Sequence, residues 1–197
     1  MRDHRRVREQ EVSWRVAVVG GTPPERAFVG AAVGRHGGVV TLETTATEEG
    51  LREAAREQPD VVVMVPVSSW DGGAMLYELR DEVHCPVVLL TGEPTRRLLR
   101  EAREAGVMAC LIQPLRPLQL AVTLDLAVAR YREADLLRQR LADRKVIERA
   151  KGIIMAQQGL TEEQAFSRLR RSAMDAQRSL AEIASAVLVA GIAASPV

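Results

Sequence analysis

Two pairs of residues, Thr161 with Gln164 and Ser179 with Glu182, stand three apart, each just ahead of an apolar-periodic segment. A Ser or Thr that accepts from the third helical amide, with a Glu or Gln reaching back, marks a helix start more sharply than composition can. Gly159 precedes the first pair, and a residue without Cβ suits the left-handed cap that ends an earlier helix. Around these marks three apolar sets recur at helical spacing: Ile147, Ala150, Ile154 and Met155; Ala165, Phe166, Leu169 and Ala173; Leu180, Ile183, Ala184 and Val187. The stretch from Arg144 to Val187 is therefore predicted to be three short-looped helices closing on one small core. Phe166 is placed on its inner face.

Charge gathers on the same stretch. The chain as a whole carries a formal net charge of +1, so no global basic balance points to nucleic acid. From Arg138 to Arg178, however, ten Lys and Arg face five acids. A locally basic module on a neutral chain is what phosphate binding needs, although a solvated helix surface laced with ion pairs has the same composition.

The residues Arg144, Ile147, Ala150-Lys151-Gly152, Met155, Gly159-Leu160, Glu163, Ala165-Phe166, Leu169-Arg170, Ala173-Met174-Asp175, Arg178, Leu180 and Ile183-Ala184 closely resemble the ANTAR family, the RNA-binding output domain of bacterial transcription antiterminators. The resemblance covers the whole module without a gap. It implies binding to paired small hairpins in a nascent leader mRNA, which keeps a terminator stem from forming. Hairpin loops expose unstacked bases, whereas A-form stems hide theirs in a deep, narrow groove. Lys151, Arg168, Arg171 and Arg178 are the expected contacts to phosphates and loop bases, with Gln177 as a base reader and Arg144 and Arg149 in a second rank. Lys151 falls on the side of its helix away from the Ile147–Ile154 stripe and is expected to face solvent. Gly152 and Ala150 beside it are small, which suits either a close approach of RNA or close helix packing; mid-helix, the glycine costs about 1 kcal/mol.

Upstream the pattern changes. Arg15–Val19, Val39–Thr45, Val61–Val65, Pro86–Leu90 and Met108–Ile112 are short runs rich in Val, Leu and Ile. Helical segments separate them: Pro23 to about His36, Thr47–Gln58, Gly72–Val83, Pro94–Ala105, and a long one from Leu115 onward. Parallel strands need crossover connections, so this alternation predicts an α/β doubly wound five-stranded parallel sheet. Val61 to Val65 is wholly apolar, as a central strand covered on both faces should be.

Pro59-Asp60 before the central strand, Thr91-Gly92 after the fourth, and Gly106 with Leu111 and Pro114 around the fifth resemble the receiver domain of bacterial response regulators. That family transfers a phosphoryl group to an aspartate at the carboxyl end of the third strand, with Mg²⁺ held by acids after the first. Carried over position by position, the acceptor is Val65, the acidic pair is Gly20-Gly21, and the lysine before Pro114 is Gln113; only Thr91 is kept. Valine is no nucleophile and glycine offers a metal no side-chain ligand. The domain reads as a pseudoreceiver. Asp60 lies at the wrong end of the strand to substitute as acceptor, and Asp71 suits a turn into the next helix better than an acceptor site. Trp70, in a chain with 3% aromatic residues, suits either a partner contact or a plug for the vacated pocket.

Between the two modules Leu120, Leu124, Ala127, Tyr131 and Ala134 are spaced four, three, four and three, and Leu137 and Leu141 continue after a skipped beat. Such spacing fits a coiled-coil dimer seam or a stripe packed on the chain's own sheet. The charged remainder, including Arg130, Arg132, Glu133 and Asp135, favours the seam and so a homodimer. The expected organisation is an arm at 1–13, a pseudoreceiver at 14–117, a dimerisation helix at 118–141, an ANTAR module at 142–192 and a tail at 193–197.

Cys85 and Cys110 beside strands read as buried hydrophobes in a reducing cytosol. No apolar run approaches the ~20 residues of a membrane span, and the charged start lacks the apolar region of a secretory signal. No Ser-His pair, metal-ligand cluster or Gly-rich phosphate loop points to an enzyme, and no cofactor is expected. The sequence thus predicts a cytoplasmic RNA-binding antitermination regulator, controlled without phosphorylation, for instance by a ligand-sensing protein on the pseudoreceiver. A scaffold whose helical module binds protein is the rival reading.

Overall fold

The computed structural model describes residues 14–66 and 72–193. Trp70, Asp71, the amino-terminal arm and the residues after Ala193 lie outside them. The chain divides after Arg132 into two compact units.

The first unit alternates strand and helix: β1 (Arg15–Gly20), α1 (Pro23–Arg35), β2 (Val39–Thr44), α2 (Glu48–Glu57), β3 (Val61–Val65), α3 (Gly72–Glu82), β4 (Val87–Thr91), α4 (Arg96–Glu104) and β5 (Ala109–Ile112), followed by the first turns of α5 (Pro117–Gln158). The five strands form one sheet in the order β2-β1-β3-β4-β5, every neighbouring pair parallel. Alternation along each strand sends its side chains to two cores. Val61, Val63 and Val65 pack with Val29 and Val33 of α1 and with Leu120 and Leu124 of α5. Val62 and Met64 pack with Leu51 of α2, Leu76 and Leu79 of α3 and Leu98 of α4. Both layers are needed because β3 and β4 are buried at every position.

This packing corrects the dimer seam. Leu120 and Leu124 are fully buried and Ala127 is 3% exposed, all within the core of their own sheet, while Tyr131 and Ala134 are half-buried. A four-three spacing is the signature of any helix with one apolar stripe, and here the bare face of β1 and β3 claims it. The charged remainder is the solvent side of a surface helix. For the same reason the α/β unit runs on to Arg132 and does not stop at 117. Arg132 closes it: its guanidinium donates at 2.6 Å to Asp60 at the amino end of β3, whose other carboxylate oxygen accepts from the Arg15 amide at 2.9 Å. The apolar residues of α5 that do face outward are Leu118, Val122 and Leu126, then Leu136, Leu137 and Leu141.

The second unit holds the rest of α5, α6 (Glu162–Ala176) and α7 (Leu180–Ala193). Gly159 ends α5 at φ +63°, its amide bonded to the Met155 carbonyl at 3.0 Å. Both capping boxes are formed. Thr161 Oγ1 accepts from the Gln164 amide at 3.3 Å while Gln164 Oε1 accepts from the Thr161 amide at 2.9 Å. Ser179 and Glu182 exchange the equivalent pair at 3.2 and 2.8 Å. Ala150 and Ile154 of α5, Ala165 and Leu169 of α6 and Ala184 of α7 form the core, with Val146, Ile147, Leu180 and Val187 packed around it.

Candidate nucleic-acid interface

The box at Thr161 fixes where α6 begins and so which residues share each of its faces. Ala165, Leu169 and Ala173 point inward. Arg168 and Arg171 lie off that face, exposed, and line a polar groove of about 750 Å³ with Thr161, Gln164, Ser167 and Ser172 and with the carboxylates Glu163 and Asp175. Neither guanidinium has an ion-pair partner among the described residues. Two guanidiniums without a direct ion pair, beside hydroxyl and amide groups, can take phosphate oxygens, while the two carboxylates of the groove can accept from sugar hydroxyls.

Lys151 corrects the expectation that it faces solvent. It is only 7% exposed, and its ammonium lies 2.8 Å from Glu148 and 2.7 Å from Glu162. Hydrogen bonds to Glu148 and Glu162 raise its pKa, and the bond from Lys151 holds the Glu162 carboxyl below its usual range. Off the apolar stripe of α5, Lys151 is still close enough to the amino end of α6 to tie the two helices together. It is a structural cation, and RNA would have to displace two carboxylates to reach it. Gly152 is exposed, and a Cβ there would meet open space, so close helix packing does not explain it; Ala150 is core.

Arg178 is exposed and paired with Glu182 at 3.4 Å. Gln177 caps α6 at φ +52°, which turns the chain out of the helix and leaves its side chain exposed. Arg144 and Arg149 are exposed on α5. The six expected contacts other than Lys151 are therefore on the surface, but Arg168 and Arg171 share one groove while Gln177 and Arg178 border another.

That other groove is not legible in the sequence. Phe166 is 40% exposed and Met174 70%, so the expected inward position of Phe166 is wrong by about one helical step. Phe166, Arg170 and Met174, four apart, form an outward row that lines a mostly apolar groove of about 510 Å³ with Gln177 and Arg178. The four-residue spacing from Phe166 to Met174 is the available signal, but it runs one residue out of step with the Ala165–Leu169–Ala173 row and merges with it when periodicity alone is read.

At the carboxyl ends of the sheet strands lie the residues expected at the phosphoacceptor positions, each engaged by other groups. Val65 is fully buried in the core, and its carbonyl accepts from the Gly21 amide at 2.9 Å. Gly20 and Gly21 have φ of +84° and +73°; a Cβ on Gly20 would lie 2.3 Å from the Val65 oxygen. The Arg26 guanidinium donates to the carbonyls of Gly20 and Gly21 at 3.3 and 2.8 Å and pairs with Glu43 at 3.4 Å, so both glycine carbonyls are already engaged. Thr91 is 6% exposed and its hydroxyl accepts from the Glu93 amide at 3.2 Å. The Gln113 side chain bonds to Glu25: burial pushes the Glu25 carboxyl up, but bonds from Thr22 and Gln113 outweigh it and hold the pKa below the usual range. Among the described residues no group of three or more His, Cys, Asp and Glu is placed to hold a metal ion. No described helix is long and apolar enough to cross a membrane.

A receiver-like sheet followed by a capped helical module defines a response-regulator-like protein. Solved structures of a CheY-like receiver domain protein from Methanospirillum hungatei (TM-score 0.54, 16% identity, 61% of this chain and 97% of that one) and of the signal receiver domain of a modulated diguanylate cyclase from Desulfovibrio desulfuricans (0.55, 15%, 61% and 98%) share the fold of the first unit. The ANTAR domain matches residues 135–188, and the chain belongs to the ANTAR family of response-regulator-like transcription regulators. It is 36% identical over 149 residues to the transcriptional regulatory protein PdtaR of Mycobacterium tuberculosis, covering 72% of this chain and 73% of that protein. The nitrate regulatory protein of Klebsiella oxytoca is 48% identical over 52 residues, 26% of this chain and 13% of that one.

Proposed function

We propose that this protein is a cytoplasmic, non-enzymatic antitermination regulator that binds small hairpins in nascent leader RNA through α6. The observation that carries the reading is the run Arg168, Arg170 and Arg171: three exposed guanidiniums on one helix, none in a direct ion pair among the described residues. Lys151, the strongest candidate by position, is by contrast already paired twice.

The receiver-like unit acts without phosphorylation in this reading. Val65, Gly20, Gly21 and Gln113 supply neither an acceptor carboxylate nor acidic metal ligands, and the Arg26 guanidinium already occupies the glycine carbonyls. Control then comes from a regulatory protein on this unit. The concavity lined by Glu25, Phe28, Gln113 and Leu115, about 510 Å³ at the carboxyl end of the sheet, is a fitting place for it. Homodimerisation uses the outward leucines Leu136, Leu137 and Leu141, which are 47–61% exposed, and not the buried Leu120 and Leu124.

The test is binding of a pool of RNA stem-loops with randomised loops, against the same stem as an uninterrupted duplex, across a salt series. The intact protein should retain the looped pool. Arg168→Ala with Arg171→Ala should weaken retention and make the dependence on log salt shallower by about 0.7 for each phosphate the protein no longer neutralises. Failure to retain RNA at low salt, or unchanged affinity and salt slope in the double variant, would favour a scaffold that binds protein.

A further inference from the structure

We propose that the groove between the outward row of α6 and the start of α7 is a nucleobase pocket: one unstacked loop base stacks on Phe166 against Met174, and Arg170 and Arg178 hold its flanking phosphates. The proposal rests on the RNA-binding reading and names the part of the module that takes a base, as distinct from the polar groove around Arg168 and Arg171.

The groove combines two properties that rarely coincide on a solvated helix surface. Its lining is mostly apolar and aromatic, from Phe166, Ala173, Met174 and Leu180, and includes two cations, Arg170 and Arg178. An exposed phenyl ring in a chain with two Phe in all, beside a methionine 70% exposed, is not a packing solution, because the core row of Ala165, Leu169 and Ala173 is complete without either. A flat ligand that is apolar on its faces and anionic at its margin satisfies both the apolar lining and the cations, and a nucleotide of a hairpin loop is such a ligand. The volume, about 510 Å³, accommodates a base with its sugar. Gln177 is among the residues lining the groove, and the turn at φ +52° leaves its side-chain amide exposed while its backbone N–H donates to the Met174 carbonyl. An amide offers a donor and an acceptor side by side, which is the pattern needed to pair with one edge of a base. Arg178 pairs with Glu182 at 3.4 Å, a weak contact between two half-exposed side chains, so its guanidinium can exchange that carboxylate for a phosphate.

The experiment uses the full chain and one RNA stem-loop enriched by the unmodified protein from the randomised-loop pool, carrying 2-aminopurine at each loop position in turn. At one position the fluorescence should be quenched by the unmodified protein and by Phe166→Tyr, which keeps a stacking ring, but not by Phe166→Ala. Phe166→Ala should weaken binding about tenfold to a hundredfold with its salt slope unchanged, since stacking releases no counterions. Arg170→Ala should weaken binding and flatten the slope. Met174→Glu, at an exposed site where packing is not at stake, places a carboxylate at the mouth and should weaken binding even where Phe166→Ala lowers the melting temperature. If no looped RNA is enriched, the RNA-binding reading itself fails. If RNA is enriched but Phe166→Ala and Met174→Glu bind it as the parent does while Arg168→Ala and Arg171→Ala do not, RNA binding stands and the base pocket falls. If those two variants lose affinity only for an acidic amphipathic peptide and not for RNA, the groove is a protein site.

Discussion

Replacing Leu124 by Ala tests the reassignment of the α5 stripe directly. Leu124 is fully buried between Leu120, Ala127 and Val128 of its own helix and the valines of β1 and β3. Leu→Ala substitutions in cores cost about 2–5 kcal/mol, and the upper half applies where the surroundings cannot collapse. Behind Leu124 lies a sheet whose strands are pinned on both sides, so we expect about 3–4 kcal/mol. With an unfolding entropy of about 2.1 cal/mol/K per residue over roughly 120 residues, or ~0.25 kcal/mol/K, the transition of the α/β unit should fall by about 12–16 °C. Leu126→Ala, at a position 51% exposed, is the control and should move the transition by about 2 °C or less. The assay is differential scanning calorimetry, with sedimentation velocity on the same samples. Leu124→Ala should leave the sedimentation coefficient of the native protein unchanged. A variant that melts like its parent but dissociates into a smaller species would refute the argument, because Leu124 would then be buried between copies and not within one.

Further outcomes follow from the same structure. Leu137→Asp with Leu141→Asp should yield monomers by sedimentation if the outward leucines carry the dimer, since paired carboxylates in an apolar contact are costly to desolvate. Glu162→Gln should lower the melting temperature of the helical module near neutral pH. The Glu162 pKa is lowered on folding, so its contribution is present above the unfolded carboxylate pKa and is lost as pH falls through the lower folded value; the gap between variant and parent should close in that acidic window. The Lys151 partner titrates above the ordinary ammonium range, so the gap should not change between about pH 6 and 9. Gly20→Ala should cost ~2 kcal/mol or more, read by urea unfolding, because φ is +84° and the new Cβ would meet the Val65 oxygen at 2.3 Å. Incubation with acetyl phosphate and Mg²⁺ should leave the intact mass unchanged; a gain of one phosphoryl group would overturn the pseudoreceiver reading.

The sequence by itself determined what depends on neighbours along the chain. Strand and helix alternation, the wholly apolar Val61–Val65, and the boxes at Thr161 and Ser179 are local signals, because a strand's two-residue period and a cap's three-residue reach are satisfied within a few positions. Tertiary structure decided the rest. Leu120 and Leu124 form an apolar stripe in either reading, and nothing local says whether a second helix or the chain's own sheet will cover it. Lys151 looks like a free cation until Glu162, eleven residues on, is brought to 2.7 Å by the turn at Gly159. Phe166 and Ala165 are neighbours in sequence and differ by about 100° around α6, so only the approach of α5 and α7 chose which of them to bury. Periodicity says that a face will be buried; the three-dimensional packing of other elements says against what, and so which charges and rings are left for a partner.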